Sequence, residues 1–271
     1  MNFSIKLSLF LLSVIVLSAC TSSSLIRPGD SLEVAFDKAM DQYERERFGD
    51  AARAFETVIS VGRGTDIGQR SQFLLAESYY KDRQFIVAAS EFQRYHSFFP
   101  RSERAAEALF MEGHSYYRLS PRFNLDQSDS YRAIETFQLF LSRHPSSDKA
   151  SEAADYIDEL RDKLARKQFE AGEQYLRLRH FEAAAIYYGL VVERFPETKW
   201  AEMALANQIN AYNLYAENSV EARMAERFQK AIDSYETYIQ LFPRGENRED
   251  AEAFYDRAQQ GFSRASQQAQ N

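Results

Sequence analysis

Five copies of one helical phrase run through this chain, and they constrain its fold more than any other feature. Phe48-x-x-Ala51-x-x-x-Phe55 recurs as Phe85-x-x-Ala88-x-x-x-Phe92, Phe181-x-x-Ala184-x-x-x-Tyr188 and Phe228-x-x-Ala231-x-x-x-Tyr235, with a weaker copy at Ser130-x-x-Ala133-x-x-x-Phe137. Offsets of three and four residues bring both rings and the alanine onto one helical face. The small alanine lets a second helix approach closely, and the rings fill the space beside it. Twelve residues after the alanine a proline stands in four copies: Pro100, Pro145, Pro196 and Pro243. Proline ends a helix because it lacks the N–H and clashes with the preceding turn. The first copy carries Gly62-Arg63-Gly64 there, a different helix stop.

Upstream of the copies lies a second amphipathic helix with a small residue and an aromatic three later, as in Ala76 and Tyr79, Gly113 and Tyr116, and Gly172 and Tyr175. Small, aromatic, aromatic, Ala, aromatic, Pro is similar to the tetratricopeptide (TPR) pattern. It implies an all-α TPR-type helical solenoid of about five helix pairs. The alanines are 37, 45, 51 and 47 residues apart, against about 34 for an uninterrupted array. The excess is expected in an inserted loop at Ser120 to Asp129 in repeat three and a smaller one at Glu217 to Arg223. The almost breaker-free stretch Asp148 to Leu178 predicts a long connector helix into repeat four. The solenoid is expected over residues 32–257 (N-terminal repeats 32–145, C-terminal repeats 146–257), and 258–271 reads as a polar tail that frays.

Charge and composition exclude several functions. The balance is 33 − 40 = −7, and nucleic-acid phosphate needs clustered Lys and Arg, so no nucleic-acid partner is expected. One cysteine excludes a disulfide framework and a multi-cysteine zinc site. His96, His114, His144 and His180 form no metal-ligand pair, and there is no Ser-centred nucleophile elbow. Gly62-x-Gly64-x-x-x-Gly68 follows no strand. No catalytic residue, metal or cofactor is expected.

Met1 to Ala19 reads as a signal peptide: Lys6, then an apolar run from Leu7 to Leu17 that is short for a bilayer span. The run ends in Leu17-Ser18-Ala19-Cys20, which resembles the bacterial lipoprotein box. By that resemblance Cys20 carries the lipid, residues 20–31 form a tether, and Thr21 in place of Asp favours outer-membrane sorting.

FNLDQSDSYRAIETFQLFLSRHPSS, followed by YIDELRDKLARKQFEAGEQYLRLRHFEAAAIYYGLVVERFPET, resembles the outer-membrane β-barrel assembly lipoprotein family BamD. That resemblance implies a non-enzymatic scaffold on the periplasmic face of the outer membrane. Its C-terminal repeats would dock on the polypeptide-transport-associated (POTRA) domains of BamA, and its N-terminal repeats would engage the C-terminal signals of unfolded outer-membrane proteins. By the same resemblance, other BAM lipoproteins would be further partners. By that analogy Tyr187 and Arg194 are the candidate BamA contacts, since adjacent Tyr187 and Tyr188 lie about 100° apart on the helix and are not expected both to be fully in the core; packing of Tyr187 against the fifth repeat is the alternative.

In a TPR array the leading helices line the concave face, so positions one and four past the small residue and three before it should face inward. This selects Phe73, Glu77 and Tyr80 in repeat two and Phe110, His114 and Tyr117 in repeat three, with Lys81 and Arg118 at the rim and Tyr43 from repeat one. Rings beside cations suit a peptide ending in an aromatic side chain and a free carboxylate. A TPR lipoprotein coordinating envelope growth with cell division, and a lipid-anchored enzyme, are the alternatives.

Overall fold

A computed structural model describes residues 25–268, and the signal segment and Cys20 lie outside the described residues. Among the described residues every regular element is an α-helix. The order is α1 (Leu32–Glu44), α2 (Phe48–Val61), α3 (Asp66–Lys81), α4 (Phe85–Phe98), α5 (Ala105–Leu119), α6 (Ser128–Arg143), α7 (Ala150–Arg177), α8 (Phe181–Arg194), α9 (Lys199–Glu217), α10 (Glu221–Leu241) and α11 (Arg248–Gln268). These are the five expected pairs and one helix more.

The alanines of the repeated phrase and four of its second rings sit as their spacing requires. Ala51, Ala88, Ala133, Ala184 and Ala231 are all fully buried, as are Phe55, Phe92, Phe137 and Tyr188. A Cβ on Gly172 would lie 2.7 Å from the Tyr188 ring, and one on Gly113 would lie 2.9 Å from Phe137. In these two repeats the small residue of the leading helix therefore admits the second ring of its own repeat. Three turns between paired helices share one geometry. Arg83, at φ 63°, donates its N–H to the Tyr80 carbonyl, and Gln84 donates to that of Tyr79. Glu46 and Arg179 repeat this pattern at φ 58° and 61°. It is the Schellman cap, in which the left-handed residue is usually glycine.

The chain forms two compact units, dividing after Ala108. In the first, α1 packs on α2 and α3, α2 on α3, and α3 on α4. In the second, α6 packs on α7, α7 on α8, α8 on α9, and α9 on α10 and α11. The division does not fall after residue 145, because Phe110, His114 and Tyr117 of α5 stack on Tyr156 of α7 and tie repeat three to repeat four.

Three expectations need adjustment. The extra length of repeat five is not a loop: only Asn218 to Val220 separate α9 from α10, and the surplus lengthens both helices. Phe48, Phe181 and Tyr235 are half-buried rather than core, and Tyr238 is the fully buried tyrosine of α10. The tail expected from 258 onward is the second half of α11, with Ala258 and Ala265 buried and Gly261 set against the Phe228 ring. Alternating small residues along an otherwise polar segment pack a helix as well as large apolar ones do.

Candidate interaction surfaces

In the first unit the structure brings Tyr43, Glu77 and Lys81 together. The Lys81 ammonium stands 4.6 Å from the centre of the Tyr43 ring, 5.5 Å from that of Phe48 and 3.6 Å from a Glu77 oxygen. Burial and the hydrogen bond to Glu77 hold the Tyr43 hydroxyl pKa well above its usual range. Lys81 itself is exposed. Tyr80 does not face an open groove: its half-buried ring packs edge-on against Phe85 at 5.3 Å. Its neighbour Tyr79 is also half-buried, and its hydroxyl donates to Glu56 at 2.7 Å, so neither tyrosine of the pair is a sealed core ring.

In the second unit Phe110, His114, Tyr117 and Tyr156 form a run of rings, with Tyr117 and Tyr156 centred 4.4 Å apart. The Tyr117 hydroxyl donates to Glu159 at 2.7 Å; burial and that carboxylate push its pKa up to about 12. Burial, with Arg118 nearby, lowers the His114 pKa. Arg118 is exposed at the end of α5.

Phe73 and Phe110 are not groove residues. Only 2% and 4% of their surfaces are exposed, and Phe73 packs on Phe92 and Tyr95 while Phe110 packs on Phe137 and Phe140. A regularity that the inward-facing rule missed explains the burial. Four leading helices carry Phe three residues before the small position: Phe36, Phe73, Phe110 and Phe169. Each is covered from the start of the next leading helix. Arg70 lies 4.9 Å from Phe36, Arg104 4.5 Å from Phe73 and Lys149 5.5 Å from Phe110, while the Trp200 ring lies 5.3 Å from Phe169. A cation over a ring face is attracted by the quadrupole and keeps its charged end in water. The signal was present in the sequence as a basic residue or Trp beside each leading-helix start.

Tyr187 is half-buried, with its ring 4.8 Å from Tyr175 of the same repeat and its hydroxyl bonded to Tyr175. Arg194 is exposed two turns later on α8. The inserted loop of repeat three lies against α7. Lys163 donates to Ser120 Oγ, Lys167 donates to the Leu125 carbonyl, and Arg166 covers Phe123 at 4.2 Å. Buried Gln127 closes the loop by donating to the Arg122 and Leu125 carbonyls at 2.8 and 3.1 Å. Among the described residues no three His, Cys, Asp or Glu side chains gather as metal ligands, and no helix is long and apolar enough to cross a membrane.

A family model described as YfiO, outer membrane lipoprotein, matches residues 29–228. Curated relatives named outer membrane protein assembly factor BamD include one from Caulobacter vibrioides, 24% identical over 67% of this chain and 59% of its own. Another, from Rickettsia prowazekii, is 22% identical over 76% of this chain and 82% of its own. A third, from Vibrio cholerae, is 23% identical over 74% and 88%. The match thus spans less than two thirds of the Caulobacter protein. Among solved structures, the TPR domain of P58(IPK) is 16% identical over 86% of this chain and 66% of its own, at a TM-score of 0.41, too low to bear on the fold.

Proposed function

The chain belongs to the YfiO family of outer membrane lipoproteins, and on that premise we propose that it is a lipid-anchored, non-enzymatic scaffold for outer-membrane β-barrel assembly. The observation that carries the reading is the family match from residue 29 to residue 228, which runs from before α1 into α10. The assembly-factor names of the Caulobacter, Rickettsia and Vibrio relatives support it.

In this reading Cys20 holds the chain to the periplasmic face of the outer membrane. The C-terminal repeats dock on BamA POTRA domains through the side of α8 that includes Tyr187 and Arg194. The N-terminal repeats take the C-terminal segments of unfolded barrel proteins. Phe73 and Phe110 supply a packed floor rather than contacts. Taken unit by unit, the polar ends of Tyr43, Glu77 and Lys81 in the first, and those of His114, Tyr117 and Arg118 in the second, are the groups left to meet a peptide. Lys81 offers a charge-assisted bond to a terminal carboxylate, and Glu77 competes for it.

An affinity pull-down of the tagged chain from detergent-solubilised membranes tests the scaffold. BamA should co-purify, and Tyr187→Ala with Arg194→Ala should weaken its recovery. Loss of barrel proteins from the outer membrane on depletion is the companion result. A pull-down without BamA, together with unchanged barrel-protein levels, would sink the reading.

A further inference from the structure

The first unit has one edge on which three exposed apolar side chains each precede an exposed arginine by two or three residues. Leu25 precedes Arg27, Val61 precedes Arg63, and Phe98 precedes Arg101. Leu25, Val61 and Phe98 are 41%, 70% and 69% exposed. They come from three separate stretches of sequence, and topology gathers them. A Cβ on Gly62 would lie 2.8 Å from Leu32, and one on Gly68 would lie 2.1 Å from the Gly62 carbonyl, so the start of α1, the end of α2 and the start of α3 meet. Gln69 Nε2 donates to the Tyr95 hydroxyl at 3.4 Å, which brings in the end of α4. The Gly62-Arg63-Gly64 stop lies on this edge. Gly64 has φ 78° and nothing within 4 Å of its Cβ position, so the far side of the turn faces open space.

We propose that this edge rests on the phospholipid headgroup layer of the membrane that holds the N-terminus, an inference that depends on the lipid anchor proposed above. Two arguments select a lipid surface as the occupant. First, Leu25 follows Cys20 by only five positions. At about 3.6 Å per residue even a fully extended chain reaches no more than about 18 Å, so an acylated Cys20 keeps this edge at the bilayer. Second, the chemistry matches. Aliphatic and aromatic tips enter the boundary between headgroup and acyl chain, while arginines two or three residues away bind lipid phosphate. Glu33, Asp66 and Glu103 are exposed near the same helix ends, so the attraction is local to the three arginines and not a matter of net charge. The contact would fix which side of the first unit faces the membrane, where a flexible tether alone would leave it free to turn.

The test uses the full lipidated chain in nanodiscs of phosphatidylethanolamine and phosphatidylglycerol containing a headgroup-level quencher lipid. Thioether formation consumes the Cys20 thiol, so Val61→Cys, Phe98→Cys or Arg47→Cys gives one labelling site. Arg47 lies at the far end of the α1–α2 hairpin, about 20 Å away at 1.5 Å per residue. A fluorophore at 61 and at 98 should be quenched at least about twofold more than one at 47, given insertion of roughly 5–10 Å into the interface. Arg63→Glu with Arg101→Glu should reduce the difference. Equal quenching at all three positions in a chain whose N-terminal peptide carries lipid by mass spectrometry would overturn the contact and leave the anchor standing. Absence of lipid would overturn both. Shielding of position 61 from a soluble quencher only when other envelope proteins are added would assign the edge to a protein and also overturn the proposal.

Discussion

Glu46, Arg83 and Arg179 hold a left-handed backbone that glycine adopts without penalty. For other residues the conformation costs about 1–2 kcal/mol. Arg83→Gly should therefore leave the fold intact and change stability by between zero and about +1 kcal/mol, the gain being partly offset by the freer unfolded chain. Arg83→Val should lower it by about 1–2 kcal/mol. Urea melts compare the two; equal losses would mean the arginine side chain matters and the backbone does not. Two carboxyls make opposite predictions about pH. Burial raises the Glu91 pKa despite Arg94 and the 2.7 Å bond from Gln72. Its proton is held more tightly in the folded chain, so its contribution favours folding at low pH and is lost as pH rises through the folded value. Glu91→Gln should gain stability over the parent near about pH 7 and not near about pH 4. Glu202 is also desolvated, but bonds from the Asn247 N–H at 2.7 Å and the Tyr238 hydroxyl at 2.8 Å outweigh burial and lower its pKa. Its contribution is present above the unfolded value of about 4.3 and fades as pH falls through the folded one. Glu202→Gln should lose stability near about pH 7 and little near about pH 3. Parallel pH trends in the two variants would contradict these environments.

Among elements, the inserted loop behaves unlike a free insertion, and Gln127 is the reason. Its amide bonds two loop carbonyls while its own oxygen accepts from Ser130 Oγ at 2.7 Å. Gln127→Ala removes all three, and an opening cost of about 1.4 kcal/mol corresponds to about tenfold faster exchange of the Leu125 amide. The helices should keep their protection. Exchange that accelerates throughout α6 and α7 would show that the loop supports the core as well as resting on it. Helix α11 supplies the counterpart at the other end of the second unit. It sets Gly261 against Phe228 and stacks Tyr255 on Tyr235 with ring centres 4.1 Å apart. Its outward side chains include Glu249, Asp256, Gln260 and Ser263, all exposed, as suits the terminal helix of a repeat array.

At the scale of the molecule, ending the chain after Leu241 should uncover Phe228 and Tyr238 and destabilise the second unit by at least about 3 kcal/mol, judged by the loss expected for an emptied aromatic contact. A fraying tail would change thermal melts by no more than about 0.5 kcal/mol. Cys20→Ser tests the opposite terminus. The thiol is the atom that takes the diacylglyceryl group, and the packed core begins at α1, where Ala35 and Phe36 are buried. The variant should retain parental helicity by circular dichroism and leave the membrane fraction. Continued membrane retention with no lipid on the mature N-terminus would reject the anchor.

The sequence by itself determined the helix pairs and the alanine contacts between them through the repeated phrase, and the long connector and the insertion in repeat three through where helix breakers are missing or clustered. Each is local, set by residues three, four or twelve positions apart or by a short run of breakers, and a linear pattern records such distances. The sequence could not say which member of Tyr79-Tyr80 or Tyr116-Tyr117 is buried. Both members of each pair are half-buried, because Glu56, Phe85, Arg132 and Tyr156 reach them from other helices. Nor could the inward-facing rule tell that Phe73 and Phe110 are sealed, since Arg104 and Lys149 lie more than thirty residues downstream in sequence. The left-handed Schellman turns were hidden for a related reason: packing of the paired helices overrides the preference for glycine at Glu46, Arg83 and Arg179. Gathering Leu25, Val61 and Phe98 on one edge was likewise decided only in three dimensions, because antiparallel pairing puts the ends of alternate helices together.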